Sequence, residues 1–178
     1  MFSLRDKVVY PGHGVALINR IVEQNVVGKK ATFYELTFLN KDLTILVPTA
    51  SAACVGIRHL SSEEEILNVF LLLSEPTKKF RDYEFTASSW NRRNKQYRVK
   101  MAQGSIKAIS EIYRDLKLIE AEKDLSFGEK NLLQQTEKLL AEEISLVRST
   151  EPDRAVEQIR SLCAPKLKRR GSEDYMGL

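Results

Sequence analysis

The chain has 178 residues, of which 43% are hydrophobic and 29% are charged, so it can bury a core and is neither wholly disordered nor fibrous. Its formal net charge is +4, an excess too small to indicate nucleic-acid binding by itself. Two isolated cysteines, Cys54 and Cys163, exclude a disulfide framework and argue against a thiolate metal site. The apolar stretches are too short for a membrane span and the N-terminus lacks a signal-peptide pattern, so we expect a soluble, cytoplasmic protein without membrane contact.

Short runs of β-branched and aromatic residues fill the first third of the chain. Turn-forming residues separate these runs at positions 11–14, 28–30 and 40–42. Residues 33–38 show the side-chain period of two that is typical of a half-buried strand. The pattern predicts four or five short antiparallel strands that form a small β barrel over residues 1–60.

From Ser61 onward the apolar residues follow the period of an α-helix. Serine three places before glutamate, in residues 61–65 and 126–129, is the reciprocal capping pattern of a helix start. Further helices are predicted over residues 90–103, 105–122 and 152–163. The sequence thus predicts an α+β protein with a β module (residues 1–60), an all-α domain (residues 61–163) and a disordered basic tail (residues 164–178).

No set of residues suggests an enzyme. The chain has two histidines, His13 and His59, and lacks the Gly-x-Ser-x-Gly, Cys-x-x-Cys and His-Glu-x-x-His motifs. The glycine-rich turn at 11–14 is too short to hold a phosphate and no Walker lysine follows it. The acidic residues at 63–65 and 142–143 are interpreted as a helix-start cluster and a solvent-exposed helix face. We therefore predict a non-enzymatic protein without metal or cofactor.

A stretch without acidic residues lies between Glu84 and Glu111. It contains Arg92, Arg93, Lys95, Arg98, Lys100 and Lys107. Exposed helices normally interleave acids at i,i+4, as the helix after Ser126 does, and six unpaired cations repel one another. A solvated helix face remains one interpretation, but the pattern favours a face that binds the DNA phosphate backbone.

Trp90, the single tryptophan, opens this basic segment. Its spacing from Tyr97 and Met101 would suit a core position on one helix face. Its immediate neighbours are polar or basic, however, and an exposed aromatic beside arginines can stack on bases or wedge into a base step. The local sequence therefore favours a DNA contact, with a core anchor as the alternative.

Five segments carry a family resemblance. Residues 6–15 (DKVVYPGHGV), 42–48 (DLTILVP) and 55–58 (VGIR) resemble the N-terminal module of the CarD/CdnL family of transcription regulators. Residues 90–95 (WNRRNK) and 125–130 (LSFGEK) resemble that family's helical half. The likeness extends over about residues 3–163 and stops before the tail.

The resemblance implies a Tudor-like β module that docks on the β subunit of bacterial RNA polymerase. It also implies a helical domain that contacts promoter DNA at the upstream edge of the transcription bubble, where the residue matching Trp90 wedges into the minor groove and slows bubble collapse. Residues matching Arg92, Lys95 and Lys130 would face the DNA backbone, and the local pattern adds Arg93 to this set.

Polymerase contacts are expected at Gln24 and at the edge-strand residues Ile45, Leu46 and Val47, which Pro48 bounds. Family members often carry arginine at the positions of Gln24 and Leu46, so this docking surface is less charged here. We expect a monomer that binds polymerase and stabilises the open promoter complex, and that reaches the nucleoid through polymerase. The alternatives are an adaptor whose basic helical face binds an acidic protein and, ranked lower, a sequence-specific repressor.

Overall fold

The computed structural model describes residues 2–75 and 87–163. Its strands are β1 (Lys7–Tyr10), β2 (Gly14–Val26), β3 (Lys29–Phe38), β4 (Thr44–Pro48) and β5 (Arg58–His59). They form one antiparallel sheet in the order β4-β3-β2-β1-β5. The sheet is open, which corrects the predicted barrel. Its edges, β4 and β5, are joined through a 3-10 turn (Thr49–Ser51) and the short helix α1 (Ala52–Val55), and the two-residue β5 pairs with β1 alone in the described chain.

The β2–β3 hairpin is the longest feature of the sheet. A bulge between Ile18 and Arg20 shifts its register, and pairing then continues to the hairpin end. The final stretch, residues 23–30, is exposed throughout. Val27 and Gly28 turn the chain with positive φ values of 49° and 77°, as a two-residue hairpin turn requires. The hairpin therefore extends past the core of the β module.

The β module has its own hydrophobic core. Alternate residues of β2 and β3 point inward, and the helical connection closes one end. The buried members of this core are Val8, Ala16, Ile18, Tyr34, Leu36, Phe38, Val47, Ala52 and Ile57.

Five longer helices follow the sheet. They are α2 (Glu63–Ser74), α3 (Ala87–Gln103), α4 (Ile106–Glu122), α5 (Phe127–Arg148) and α6 (Pro152–Cys163). The capping boxes predicted in the sequence are confirmed: Ser62 pairs reciprocally with Glu65, and Ser126 with Glu129. The predicted disordered tail, residues 164–178, lies outside the described residues.

The helices enclose a second hydrophobic core. Helix α5 packs against α4 and α6, and α2 packs against α4. The fully buried side chains of this core include isoleucines and leucines of α4 and α5, namely Ile112, Leu116, Ile119, Leu140 and Ile144. Among the described helices none is both long enough and apolar enough to cross a membrane.

Glu143 of α5 connects the two modules. Its carboxylate accepts two hydrogen bonds from the Arg58 guanidinium, at 2.6 and 2.8 Å, and one from the Ser61 backbone N–H at 2.9 Å. Arg58 Nε also donates to the Gly104 carbonyl at 2.8 Å. Arg58 thus joins the end of the sheet to both α5 and the turn between α3 and α4.

Glu142 forms the adjacent contact between modules. Its Oε1 accepts a hydrogen bond from the Val15 N–H at 3.2 Å. Gly14 has a φ of 104°, and a Cβ at this position would collide with the Glu142 carboxylate. Glu142 is 7% exposed and Glu143 is 2% exposed, so the prediction of a solvent-exposed face at 142–143 is wrong. The β module covers this part of α5, and its donors satisfy the buried carboxylates.

Candidate nucleic-acid interface

Trp90 lies where the N-terminal turn of α3 meets the N-terminal turn of α5. Its side chain is half-buried and packs on the edge of the helical core. A Cβ added at Gly128 would come within 3.2 Å of Trp90 Cζ2, so the glycine allows the indole to lie against the α5 backbone. Trp90 therefore falls between the two alternatives that the sequence left open: it contacts the core and also keeps exposed surface. Its contact with Gly128 comes from a distant part of the chain, so the polar sequence neighbours of Trp90 did not reveal it.

Exposed cations lie on both helices that meet at Trp90. Arg92 and Lys95 follow Trp90 on α3, and Lys130 follows Gly128 on α5. Arg98 and Lys107 are also exposed. Arg98 lines the same groove as Trp90, whereas Lys107 lies in the first turn of α4 and lines a different groove. The cations on α3 and α5 place positive charge on the two helices that meet at Trp90, an arrangement suited to a polyanion.

Within the described residues, two of the six cations in the acid-free stretch form ion pairs with acidic residues from distant segments. The Arg93 guanidinium is 9% exposed and donates to Glu129 at 3.0 Å and to Ser89 Oγ at 3.1 Å. Lys100 Nζ donates to Glu111 at 2.6 Å. The expectation of six unpaired cations is therefore wrong for Arg93 and Lys100. Local sequence could not reveal this, because Glu129 comes from another helix.

Glu129 is the central polar group beneath this surface. Besides Arg93, its carboxylate accepts bonds from Ser126 N at 2.9 Å, Ser126 Oγ at 2.8 Å and Lys123 Nζ at 3.2 Å. Burial alone would raise the pKa of Glu129, but the hydrogen bonds from Ser126 and Lys123 outweigh it, so the pKa lies below its ordinary value. The ionised carboxylate thus holds the starts of α3 and α5 together.

Phe127 is a second aromatic residue at this surface. It is the first residue of α5, directly before Gly128, and its side chain is 81% exposed. In the sequence, Phe127 is recognisable only as part of a capping box. A large apolar ring that remains this exposed beside a basic surface is a candidate contact residue.

The residues predicted to meet polymerase divide between two faces of the sheet. β4 is an edge strand, as expected, and pairs Leu46 with Glu35 of β3. Strand alternation and pairing place Gln24 and Leu46 on one face, where both are exposed. Ile45 and Val47 point to the opposite, core-facing side, and Val47 is buried. The backbone of edge strand β4 can therefore pair with a partner strand, and Leu46 is the exposed side chain among the three β4 residues named above.

Two protein-domain families together match most of the chain. Residues 2–61 match the CarD-like/TRCF RID domain, and residues 68–160 match the family described as CarD, C-terminal domain. The chain belongs to the CarD family. A relative from Bacillus subtilis (strain 168), named "Putative transcription factor YdeB", is 27% identical over 148 residues, which cover 83% of this chain and 93% of that protein. These matches confirm the resemblance and support a transcription-related function for this CarD-family chain.

The structure adds residues to this CarD-family site that the sequence did not indicate. Glu129 is more than a helix cap, because its second oxygen binds Arg93. Phe127 is exposed beside Gly128. Helical spacing from Trp90 could have pointed to Asn94 and Arg98, which line a groove with it. Among the described residues no three histidine, cysteine, aspartate or glutamate side chains form a group able to hold a metal ion.

Proposed function

We propose that this CarD-family chain binds the β subunit of RNA polymerase through its β module and promoter DNA through the starts of α3 and α5, and that it stabilises the open promoter complex. The observation that carries the proposal is the position of Trp90. Its side chain is half-buried against Gly128, and the exposed Arg92, Lys95 and Lys130 lie on the same two helices. A rigidly held aromatic edge flanked by cations suits the junction between duplex and melted DNA.

The cations and the aromatic side chain have different roles in this proposal. Arg92, Lys95 and Lys130 neutralise backbone phosphates, which supplies affinity without base recognition. Trp90 contacts an unstacked base step in the minor groove, so its contact is available only at distorted DNA. Arg93, although predicted to face phosphate, supports the site from inside through Glu129.

The effect on promoter opening follows from linked equilibria. A protein that prefers the melted promoter shifts opening toward it by the ratio of its affinities for the two states. A tenfold preference corresponds to about 1.4 kcal/mol. Holding the protein on polymerase raises its local concentration at the promoter, so weak DNA contacts suffice.

The β module is proposed to hold polymerase along β4 and the sheet face that includes Gln24 and Leu46. The description of residues 2–61 as a CarD-like/TRCF RID domain supports a polymerase contact. Edge strand β4 can receive a partner strand, and Leu46 adds an exposed apolar side chain beside it. Because Val47 faces the core, only its backbone would take part.

Purified polymerase tests the proposal with the full chain and two matched variants. Leu46→Glu changes the proposed docking surface, and Leu71→Glu changes another exposed leucine, on α2. We expect the wild type and Leu71→Glu to be retained by polymerase and to lengthen open-complex lifetime, and Leu46→Glu to lose both effects. Retention of polymerase without any change in open-complex lifetime would contradict the proposed function and favour the adaptor alternative.

A further inference from the structure

We propose that the groove between α3, α5 and the β1–β2 turn binds one unpaired base of single-stranded DNA. This inference rests on the proposed function and adds a ligand site to it. The groove has a volume of about 490 Å³, which lies in the usual range for a small-molecule site. It begins at Trp90, so a base unstacked by Trp90 would have an adjacent place to enter.

The groove is preformed by contacts between the two modules. Pro11 packs on the end of α3 so closely that a Cβ added at Gly104 would lie 2.8 Å from Pro11 Cγ. At the other wall, Gln135 Nε2 of α5 donates to the Gly12 carbonyl at 3.3 Å. The glycine-rich turn, which is too short to hold a phosphate, therefore forms a fixed side of the groove.

The walls combine an aromatic ring with amide side chains. Trp90 offers a π surface, on which bases stack with little dependence on sequence. Asn94 of α3 and Asn131 of α5 also line the groove, and no group in the described part of the chain hydrogen-bonds their side chains. Each amide presents both donors and an acceptor, as do the edges of an unpaired base.

The charge of the groove suits DNA. None of its described lining residues is acidic, and the exposed Arg98 adds a cation that can meet the adjoining phosphate. Two other grooves in the described residues differ in this respect, since Glu65 and Glu75 line one and Glu137, Glu142 and Asp153 line the other. Carboxylates at those sites would repel a nucleotide, so the groove beside Trp90 is the suitable one.

Fluorescence of Trp90 provides a direct test, because it is the only tryptophan of the chain. The full chain is titrated with a single-stranded oligothymidylate of about eight nucleotides, a length within the range of known single-strand sites. A fully abasic strand of the same length serves as the control for phosphate binding. We expect quenching with an affinity about tenfold higher for the strand that has bases, because stacking is lost without them.

Two pairs of substitutions locate the bound base. Asn94→Ala with Asn131→Ala removes two of the three groove amides and leaves Gln135, which bonds Gly12, in place. The double variant is expected to weaken oligothymidylate binding about tenfold. Asn91→Ala with Gln134→Ala changes neighbouring exposed amides on the same helices, outside the groove, and is expected to leave affinity unchanged. Thermal melting of both double variants should match the wild type, so that a loss of binding reports on the groove.

The outcomes separate this inference from the proposed function. Equal affinity for the abasic strand, or equal losses in the two double variants, would overturn the base site. Open-complex stabilisation by the wild type would then still support the proposed function. Conversely, selective base binding without any effect on open-complex lifetime would uphold the groove and contradict the role at promoters.

Discussion

Arg93 Nη2 donates a 3.0 Å hydrogen bond to Glu129 Oε1 across 36 residues of sequence, and both side chains are buried. Arg93 is one turn after Trp90 on α3, and Glu129 directly follows Gly128, on which Trp90 packs. The ion pair therefore fixes the angle at which the indole meets α5. The surface that we propose to face DNA therefore has a buried charge pair beneath it.

Glu129→Gln should destabilise the protein by roughly 2–4 kcal/mol, because the buried Arg93 loses its charged partner. The change should also reduce acid sensitivity. Since the folded pKa of Glu129 is lowered, its stabilisation is present above the pKa of the unfolded chain and is lost as pH falls through the folded pKa. Urea unfolding from neutral to acidic pH measures both effects. The exposed Glu157→Gln on α6 is the control, and an equal loss in that variant would refute the role of Glu129.

Trp90→Ala should cost about 2 kcal/mol of unfolding free energy, between the values for surface and core residues, because the ring is half-buried. Phe127→Ala should change stability by less than about 0.5 kcal/mol, since its ring is exposed. With polymerase present, Trp90→Ala should shorten open-complex lifetime while polymerase retention is unchanged. Thermal unfolding and lifetime are measured on the same preparations. A stability loss near 4 kcal/mol would assign Trp90 to the core.

Arg92→Ala, Lys95→Ala and Lys130→Ala should each weaken DNA binding by a similar factor on unrelated sequences. Each should lower the slope of log affinity against log salt by about one, as loss of one phosphate contact requires. Binding to two duplexes of different sequence over a salt series measures both quantities. Arg154→Ala, an exposed arginine on α6, should leave the slope unchanged. A loss confined to one sequence would indicate base recognition instead.

The adjacent acids Glu142 and Glu143 should respond in opposite ways to the same change. Burial raises the pKa of Glu142 above its ordinary value. Ionisation of Glu142 therefore costs more in the folded state than in the unfolded chain. The free energy of unfolding falls as pH rises from the unfolded pKa to the folded pKa. Glu142→Gln keeps an acceptor for Val15 N–H and should leave stability unchanged or higher at neutral pH. Glu143→Gln should destabilise by roughly 2 kcal/mol, because Arg58 loses its charged partner. Chemical unfolding of both variants at pH 7 decides this.

Local patterns in the sequence were sufficient for most of the secondary structure. Ser62 and Ser126 cap helices because their side chains bond backbone N–H groups only three residues away. The alternation in residues 33–38 predicted β3 because a strand with one buried face needs a period of two. The basic stretch and Trp90 led to the prediction of a nucleic-acid surface, which stays a prediction. These signals each depend on neighbours within a turn or a strand.

Contacts between distant segments were decided by the tertiary structure. Glu142 and Val15 are 127 residues apart, and Glu143 and Arg58 are 85 residues apart. The sequence around Glu142 and Glu143 therefore could not show whether the two acids are exposed or are buried against the β module. The same limit applies to the Arg93–Glu129 pair and to the groove beside Trp90, whose walls come from both modules. The sequence by itself determined which residue types were available and in which local elements they lie. Packing decided which charges are buried and paired, because desolvation and hydrogen bonding depend on the groups that surround a side chain in space.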